Sequence, residues 1–216
     1  MMRQADRRGK GRRGRVASHV ASSATEPPSP ERTVHSQLQS VEQEFATARS
    51  RFQRLMAATS DARWGVRPAD GGWSVAECIA HLNLSSRAMQ PLLERCVADA
   101  RALGGGAPRR FRRTFIGRML GAMVGPAPGV GRFRVGKVRT PASFVPGGEL
   151  PRAAVVAEFE RHLEAHARTL AAAEGLPIDR TRLESPFAPG VSYDGFSAFL
   201  VVARHMHRHL AQAERV

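Results

Sequence analysis

Apolar residues recur at alternating steps of three and four along several segments of this chain, and this spacing constrains the fold more than any other feature. Such residues fall on one face of an α-helix, which can then pack against a neighbouring helix. The first segment covers residues 35–58, and its stripe consists of Leu38, Val41, Phe45, Ala48, Phe52 and Leu55. The pattern predicts a long helix with one buried face.

A second helix is predicted to begin after Ser74. Ser74 and Glu77 have the spacing of a capping box, and Trp73 can pack on Cys78 as a hydrophobic staple. The sequence GGGAP stops this helix near residue 102. Its apolar stripe consists of Cys78, Leu82, Met89, Leu92 and Cys96.

Two more helices follow near the end of the chain. The third begins near Pro151, a favourable first-turn residue, and ends at Gly175 and Pro177. The last runs from about Tyr193 to the end, and no segment alternates clearly enough to predict a sheet. The stripe of the third helix consists of Val155, Phe159, Leu163 and Leu170. Four long helices predict an all-α four-helix bundle, with residues 35–216 as its domain.

The positive charge of the chain, +14 in total, lies mostly outside the predicted bundle helices. Residues 1–34 contain eight Lys and Arg against three acids, and residues 101–139 contain ten against none. The first of these segments has no periodicity and is rich in Arg, Ser, Gly and Pro, which predicts a disordered basic tail. It is either a solvated extension or a nonspecific contact for nucleic acid or anionic lipid.

The basic insert at residues 109–139, between the second and third helices, begins with RRFRRTFIGRMLGAMVG. Its apolar residues have helical spacing and are Phe111, Phe115, Ile116, Met119, Leu120, Met123 and Val124. The segment is either a basic amphipathic helix on a membrane surface or a lid across the end of the bundle, and the lid is the favoured interpretation. A loop rich in Gly and Pro follows.

Cysteine use and hydropathy predict a cytoplasmic protein. Cys78 and Cys96 fall on one predicted helix, where 18 residues of rise separate them by roughly 27 Å, too far for a disulfide. No apolar run approaches the ~18 residues of a membrane span. The N-terminal basic residues are not followed by the apolar core of a secretory signal.

Histidines are concentrated in the closing segment, ARHMHRHLAQAERV. On a helix, His205 and His209 share a face with apolar residues, whereas His207 points away and is predicted to lie at the surface. Two imidazoles one turn apart can bind one metal ion, although helical histidines also pack or titrate without a metal. His162 and His166 have the same spacing, so spacing alone leaves both pairs open.

His81, in ECIAHLNL, is a candidate third ligand at the edge of the second helix's stripe. Taken alone, it can equally be an ordinary interface histidine. Glu77 is predicted to serve the capping box, with a role as base or outer-sphere acceptor as the alternative. Gln212, one turn beyond the last-helix pair, either orients a ligand or is a surface amide.

Two segments of the chain resemble motifs of the DinB/YfiT-like proteins. GGWSVAECIAHLNLSSRAM is similar to their W-S-x-x-E-x-x-x-H-L segment, and HMHRHLAQ is similar to their closing H-x-x-[RH]-H-x-x-Q segment. The resemblance spans roughly residues 35–216. It implies a four-helix bundle that holds a divalent metal, zinc or nickel, through His81, His205 and His209. It also implies that His162 and His166 only line the pocket.

The resemblance implies a metal site more strongly than any one reaction. Some proteins of this family are thiol S-transferases that use low-molecular-weight thiols, others resemble maleylpyruvate isomerases, and fold alone does not define function. We therefore expect a metal-dependent S-transferase or hydrolase for a small molecule, with the insert arginines attracting an anionic thiol or acid. A homodimer is an expected assembly for such a bundle.

The alternative function is a non-catalytic, metal-stabilised binding module whose basic tail and insert contact nucleic acid or membrane. The chain shows no helix-turn-helix pattern and no aromatic stacking platform for nucleic acid. A vestigial pocket without a metal is a third interpretation.

Overall fold

The structure is a computed structural model that describes residues 35–69, 71–124 and 140–216. The predicted tail at residues 1–34 and the second half of the basic insert lie outside the described residues. Six helices and one pair of strands are described. In chain order they are α1 (Ser36–Ala58), α2 (Asp61–Trp64), α3 (Val75–Leu103), α4 (Phe115–Val124), α5 (Arg152–Ala171), β1 (Arg182–Glu184), β2 (Ser192–Asp194) and α6 (Gly195–Ala213).

The four long helices, α1, α3, α5 and α6, form the predicted bundle. Helix α3 packs against both α5 and α6, and α1 packs against α6 and α5. All six predicted stripe residues of α1 are buried in the core between these helices. The all-α four-helix architecture predicted from the apolar spacing is therefore confirmed.

Helix α3 begins with the predicted capping box. The Glu77 N–H donates to Ser74 Oγ over 3.2 Å, and the Ser74 N–H donates to Glu77 Oε2 over 2.9 Å. Of the predicted stripe residues, Leu92 is partly buried and packs against the core, and its neighbour Leu93, outside the predicted stripe, is fully buried. Since α3 contacts helices on two sides, its buried face is wider than a single stripe.

The two cysteines of α3 are buried and free, as their separation on one helix predicted. Burial raises the pKa of the Cys78 thiol to about 12, so this side chain stays protonated near neutral pH. Both residues act as small apolar members of the core.

A short antiparallel hairpin precedes α6, where the sequence predicted no sheet and a helix from about Tyr193. Strands β1 and β2 pair Leu183 with Tyr193, and α6 begins only at Gly195. Asp194 caps the helix by accepting a hydrogen bond from the Ser197 N–H over 2.7 Å. Strands of three residues are too short to show the alternation by which a strand is recognised in a sequence.

Helix α4 lies within the basic insert, and its closest approach to the rest of the bundle is through two glycines. A Cβ on Gly117 would lie 2.8 Å from the Asp194 carboxylate, and one on Gly121 would lie 2.6 Å from Arg113. Phe115, by contrast, is 72% exposed. Leu120 and Val124 are partly buried against the core, so the stripe is divided between a packed side and an exposed side.

None of the described helices combines the length and the apolar character that crossing a bilayer requires.

Candidate metal centre

Three histidines from two helices converge in the bundle. His81 comes from α3, and His205 and His209 come from consecutive turns of α6. One nitrogen of each ring lies within 4.8 Å of the other two, and His81 Nε2 is 3.2 Å from His205 Nε2. Among the described residues, this is the one group of three or more His, Cys, Asp or Glu side chains with such geometry. The structure thus brings together the three residues selected from the sequence.

Hydrogen bonds to the Nδ1 atoms of His81 and His209 orient the Nε2 atoms of these rings toward a common point. His81 Nδ1 lies 2.7 Å from the Phe144 carbonyl oxygen, and His209 Nδ1 lies 3.1 Å from Gln212 Oε1. Because both partners are carbonyl oxygens, each Nδ1 carries the proton and donates it. The Nε2 lone pair of each ring is then free to bind a cation, as in proteins whose metal-bound histidines have a fixed outer hydrogen bond.

The spacing of the nitrogens fits a small divalent cation. Two ligands at the usual zinc–nitrogen distance in a tetrahedral site are about 3.3 Å apart, close to the 3.2 Å between His81 Nε2 and His205 Nε2. A shared proton could join only one pair of rings. A single cation would accept lone pairs from all three, so the donor set fits a metal better than it fits a hydrogen-bonded pair.

Burial keeps the three imidazoles neutral, which is the form that binds metals. The protein around His205, together with the nearby His81, lowers the pKa of His205 to about 3. Burial also lowers the pKa of His209 well below its usual value, with His205 and His81 adding to the effect. The pKa of His81 falls for the same reason, and its hydrogen bond to Phe144 opposes the shift.

Trp73 covers one side of the histidine group. Its ring centroid is 4.9 Å from that of His81 and 5.8 Å from that of His209, and it stacks on the second ring. The sequence suggested only a staple onto Cys78. The position of Trp73, directly before the N-cap Ser74, was the sequence signal for this contact, because a residue there folds back over the first turns of the helix.

The loop residues of the site carried no sequence signal. Phe144 belongs to a single turn of 3₁₀ helix at Ala142–Phe144. Phe187 lies in the loop between β1 and β2, and its ring centroid is 6.1 Å from that of His205. Neither residue belongs to a periodic segment. Only the packing of these loops on the bundle places them beside the histidines.

A cavity of about 310 Å³ adjoins the histidines and is lined mostly by apolar side chains. Helix α4 contributes Leu120, Met123 and Val124 to its wall, so the insert does cover part of the site. Ser85 also lines the cavity, and its buried hydroxyl has no hydrogen-bond partner among the described residues. An apolar cavity with a few polar groups is typical of a small-molecule site.

The competing pair on α5 does not line this cavity, so the prediction that it does was wrong. His166 is fully buried and stacks on Phe45 of α1, with ring centroids 5.9 Å apart. His162 Nε2 lies 3.2 Å from Glu158 Oε1 on the same helix. His166 is directed toward α1, whereas the cavity opens between α3, α4 and α6.

His207 is not the surface residue that was predicted, since it is only 8% exposed. Arg51 of α1 donates from Nη1 to the His207 carbonyl oxygen over 3.3 Å and lies 3.4 Å from the ring. Helix α1 packs on the side of α6 that faces away from the cavity. It therefore covers His207, while His205 and His209 line the cavity on the other side.

The two auxiliary polar residues have clear partners. The Glu77 carboxylate accepts hydrogen bonds from Ser74 and from Arg67, which supports the capping interpretation. Gln212 bonds to His209 and thereby orients the ring, rather than being a free surface amide.

Comparison with known proteins identifies the family. No curated protein and no solved structure shows significant similarity to this chain. A sequence model of the DinB superfamily matches residues 44–213, a span that covers most of the chain and includes all three converging histidines. The chain therefore belongs to the DinB superfamily.

Proposed function

We propose that this protein is a metal-dependent enzyme in which His81, His205 and His209 hold a divalent cation, zinc or nickel. Its reaction would be the attack of a thiol or a water molecule on a small molecule in the adjoining cavity, making the enzyme an S-transferase or a hydrolase. The observation that carries the proposal is the convergence of three neutral imidazoles, two of which have their outer nitrogens fixed by carbonyl oxygens.

Three protein ligands favour catalysis over a purely structural role. Structural zinc sites are closed by four protein ligands, whereas catalytic sites keep a position for water or substrate. A divalent cation bound in this way lowers the pKa of a coordinated water or thiol, which makes a nucleophile available near neutral pH. The histidine group contains no carboxylate that would neutralise the cation's charge.

The residues around the histidines support the reaction in separate ways. Phe144 and Gln212 hold the rings in place, and Trp73 shields one side of the group from water. Arg208 lines the cavity and provides positive charge for an anionic substrate or thiol. The unpartnered hydroxyl of Ser85 is available to hydrogen-bond a polar group of the substrate.

The size of the cavity supports a small substrate. A volume of about 310 Å³ is at the lower end of the range of ligand pockets, ~300–1,000 Å³. A low-molecular-weight thiol and a compact electrophile fit this class better than a polymer does. The two buried, free thiols agree with a reducing, cytoplasmic setting.

Metal analysis and a thiol-transfer assay test the proposal. We expect the purified protein to bind about one equivalent of zinc or nickel and His81→Ala to lose it, because two histidines on one helix are a weaker site. His162→Ala is the matched control and should retain the metal. A chromogenic electrophile with a panel of low-molecular-weight thiols then measures turnover of the metal-loaded protein.

Two results would contradict the proposal in different ways. Metal binding that survives His81→Ala would remove the proposed site. Bound metal without turnover of any thiol or hydrolysable ester would leave the site but favour a metal-stabilised binding module.

A further inference from the structure

Helix α4 exposes an apolar ridge to solvent. Phe115 is 72% exposed, and Ile116, Met119 and Met123 are 36%, 44% and 39% exposed. Phe115, Met119 and Met123 follow one another at four-residue steps, so they lie along one side of the helix. The described residues include only three other exposed large apolar side chains, Val66, Leu103 and Val145. The concentration of four on one short helix marks an interaction surface.

The ridge exists because the opposite side of α4 is held against α6. Gly117 and Gly121 are buried there, and the Arg204 guanidinium donates from Nη1 to the Gly121 carbonyl oxygen over 3.1 Å. Arg208 likewise donates to the Met123 carbonyl oxygen over 2.7 Å. The helix is therefore anchored through its backbone, which leaves Phe115, Ile116 and Met119 exposed, whereas Met123 also reaches the cavity wall.

The charge around the ridge is positive. Arg109, Arg110, Arg112 and Arg118 are exposed, and residues 101–139 contain no acidic residue. A second copy of this surface would place arginines against arginines. Nucleic acid would satisfy the arginines but would leave Ile116 and Met119 without an apolar partner. An anionic lipid surface offers phosphates and acyl chains together.

We propose that α4 docks on an anionic membrane surface. Phe115, Ile116 and Met119 enter the boundary between headgroups and acyl chains, and the surrounding arginines contact the lipid phosphates. The attachment is peripheral and depends on salt, because it combines a small apolar area with electrostatic attraction. It goes beyond the proposed reaction and does not depend on a bound metal.

Vesicle sedimentation of the full chain tests the proposal. The wild-type protein should partition onto vesicles that contain phosphatidylglycerol and much less onto pure phosphatidylcholine vesicles, with binding that falls as salt rises. The combined substitution Phe115→Ser, Ile116→Ser and Met119→Ser should weaken this partitioning by about tenfold or more, because three apolar side chains no longer enter the lipid. The control, Val66→Ser, Leu103→Ser and Val145→Ser, replaces equally exposed side chains elsewhere and should bind as wild type does.

The basic residues 1–34 are kept in every variant, so a difference between the two triple variants reports on α4 itself. Equal vesicle binding by both triple variants would overturn the proposal. Absence of wild-type binding to anionic vesicles would overturn it as well. So would a dimer, or retention on duplex DNA, that depends on the ridge residues while vesicles are not bound.

A single conservative variant gives an independent reading if the triple variant does not fold. Phe115→Trp adds a third indole to Trp64 and Trp73, and the wild-type spectrum serves as the blank. The added emission should shift to shorter wavelength with phosphatidylglycerol vesicles and stay unshifted with phosphatidylcholine vesicles. An added emission that does not shift with either would contradict the proposal.

Discussion

The pair on α6, His205 and His209, and the pair on α5, His162 and His166, have the same spacing and opposite surroundings. The α6 pair faces His81 across the bundle and has Gln212 behind one ring. On α5, His166 faces Phe45, and neither of its ring nitrogens has a hydrogen-bond partner among the described residues, while His162 contacts Glu158 of the same helix. Spacing along one helix therefore places two possible metal ligands on one face. Whether they form a metal site depends on the residue that packing places opposite them.

The largest expected difference between the pairs is in metal binding. Replacing His205 and His209 together by Ala should abolish stoichiometric binding of zinc or nickel, because two of the three ligands are lost. The matched double variant of His162 and His166 should bind as wild type does. Isothermal titration of the metal-free proteins, with circular dichroism to check folding, measures both affinities. If only the α5 double variant lost metal binding, the α5 pair rather than the α6 pair would be the metal site.

The second expected effect concerns acid stability, because burial lowers the pKa of His166 to about 3, as it does for His205 at the metal site. The unfolded chain binds a proton at this histidine near pH 6.5, and the folded chain does so only near pH 3, so the folded state loses stability as pH falls through this window. A single histidine contributes at most about 1.4 kcal/mol per pH unit to this loss.

His166→Leu should remove that contribution. It should also stabilise the protein near neutral pH by about 1–3 kcal/mol, since a buried polar group without a partner is removed. Urea unfolding of the metal-free protein at a series of pH values between 4 and 7 would measure both effects. An unchanged slope of unfolding free energy against pH would contradict the assigned environment of His166.

A third comparison uses the outer partner of the metal-site pair. Gln212→Ala removes the carbonyl oxygen that orients His209 but leaves all three ligands in place. We expect metal affinity to fall by about 10–100-fold with the stoichiometry unchanged, as for other lost outer-sphere partners. Competition with a chromogenic chelator measures the affinity. Gln212→Glu serves as the control, because it keeps an oxygen at the same position and should restore binding.

The smallest expected effect belongs to the outer partner of the α5 pair. Glu158 bonds to His162 and also pairs with Arg87 over 2.6 Å near the surface. Glu158→Gln should change the free energy of unfolding by no more than about 1 kcal/mol, because exposed ion pairs contribute little. It should not affect metal affinity. A metal effect as large as that of Gln212→Ala would show that α5 communicates with the site.

The sequence was most informative where structure depends on local periodicity. The α1 stripe and the Ser74–Glu77 capping box could be predicted because both follow from spacing along one helix. The hairpin before α6 could not, since each strand has only three residues and is held by its partner and by the start of the helix. The orientation of α4 could not be predicted either, because its glycines contribute nothing to an apolar stripe and yet permit the closest approach to its neighbours.

The candidate site also has residues that could be predicted from spacing or motif and residues that could not. The i, i+4 spacing of His205 and His209 placed two rings on one face, His81 was a candidate third ligand, and the resemblance to the DinB/YfiT-like motifs favoured these three over the α5 pair. The contacts of Trp73 and Phe144 with these rings were not predictable, because they depend on where one helix end and one loop rest on the bundle. His207 was misplaced for a related reason, since the helix that covers it is distant in sequence.

Residue order alone specifies four amphipathic helices, the main signals at their ends and the histidines that can share a helix face. Packing between helices selected the histidine pair that meets a third imidazole and the side of α4 that faces solvent. This division arises because periodicity orients a side chain only relative to the axis of its own helix. Its partner, its burial and its pKa depend on atoms that packing brings from distant parts of the chain.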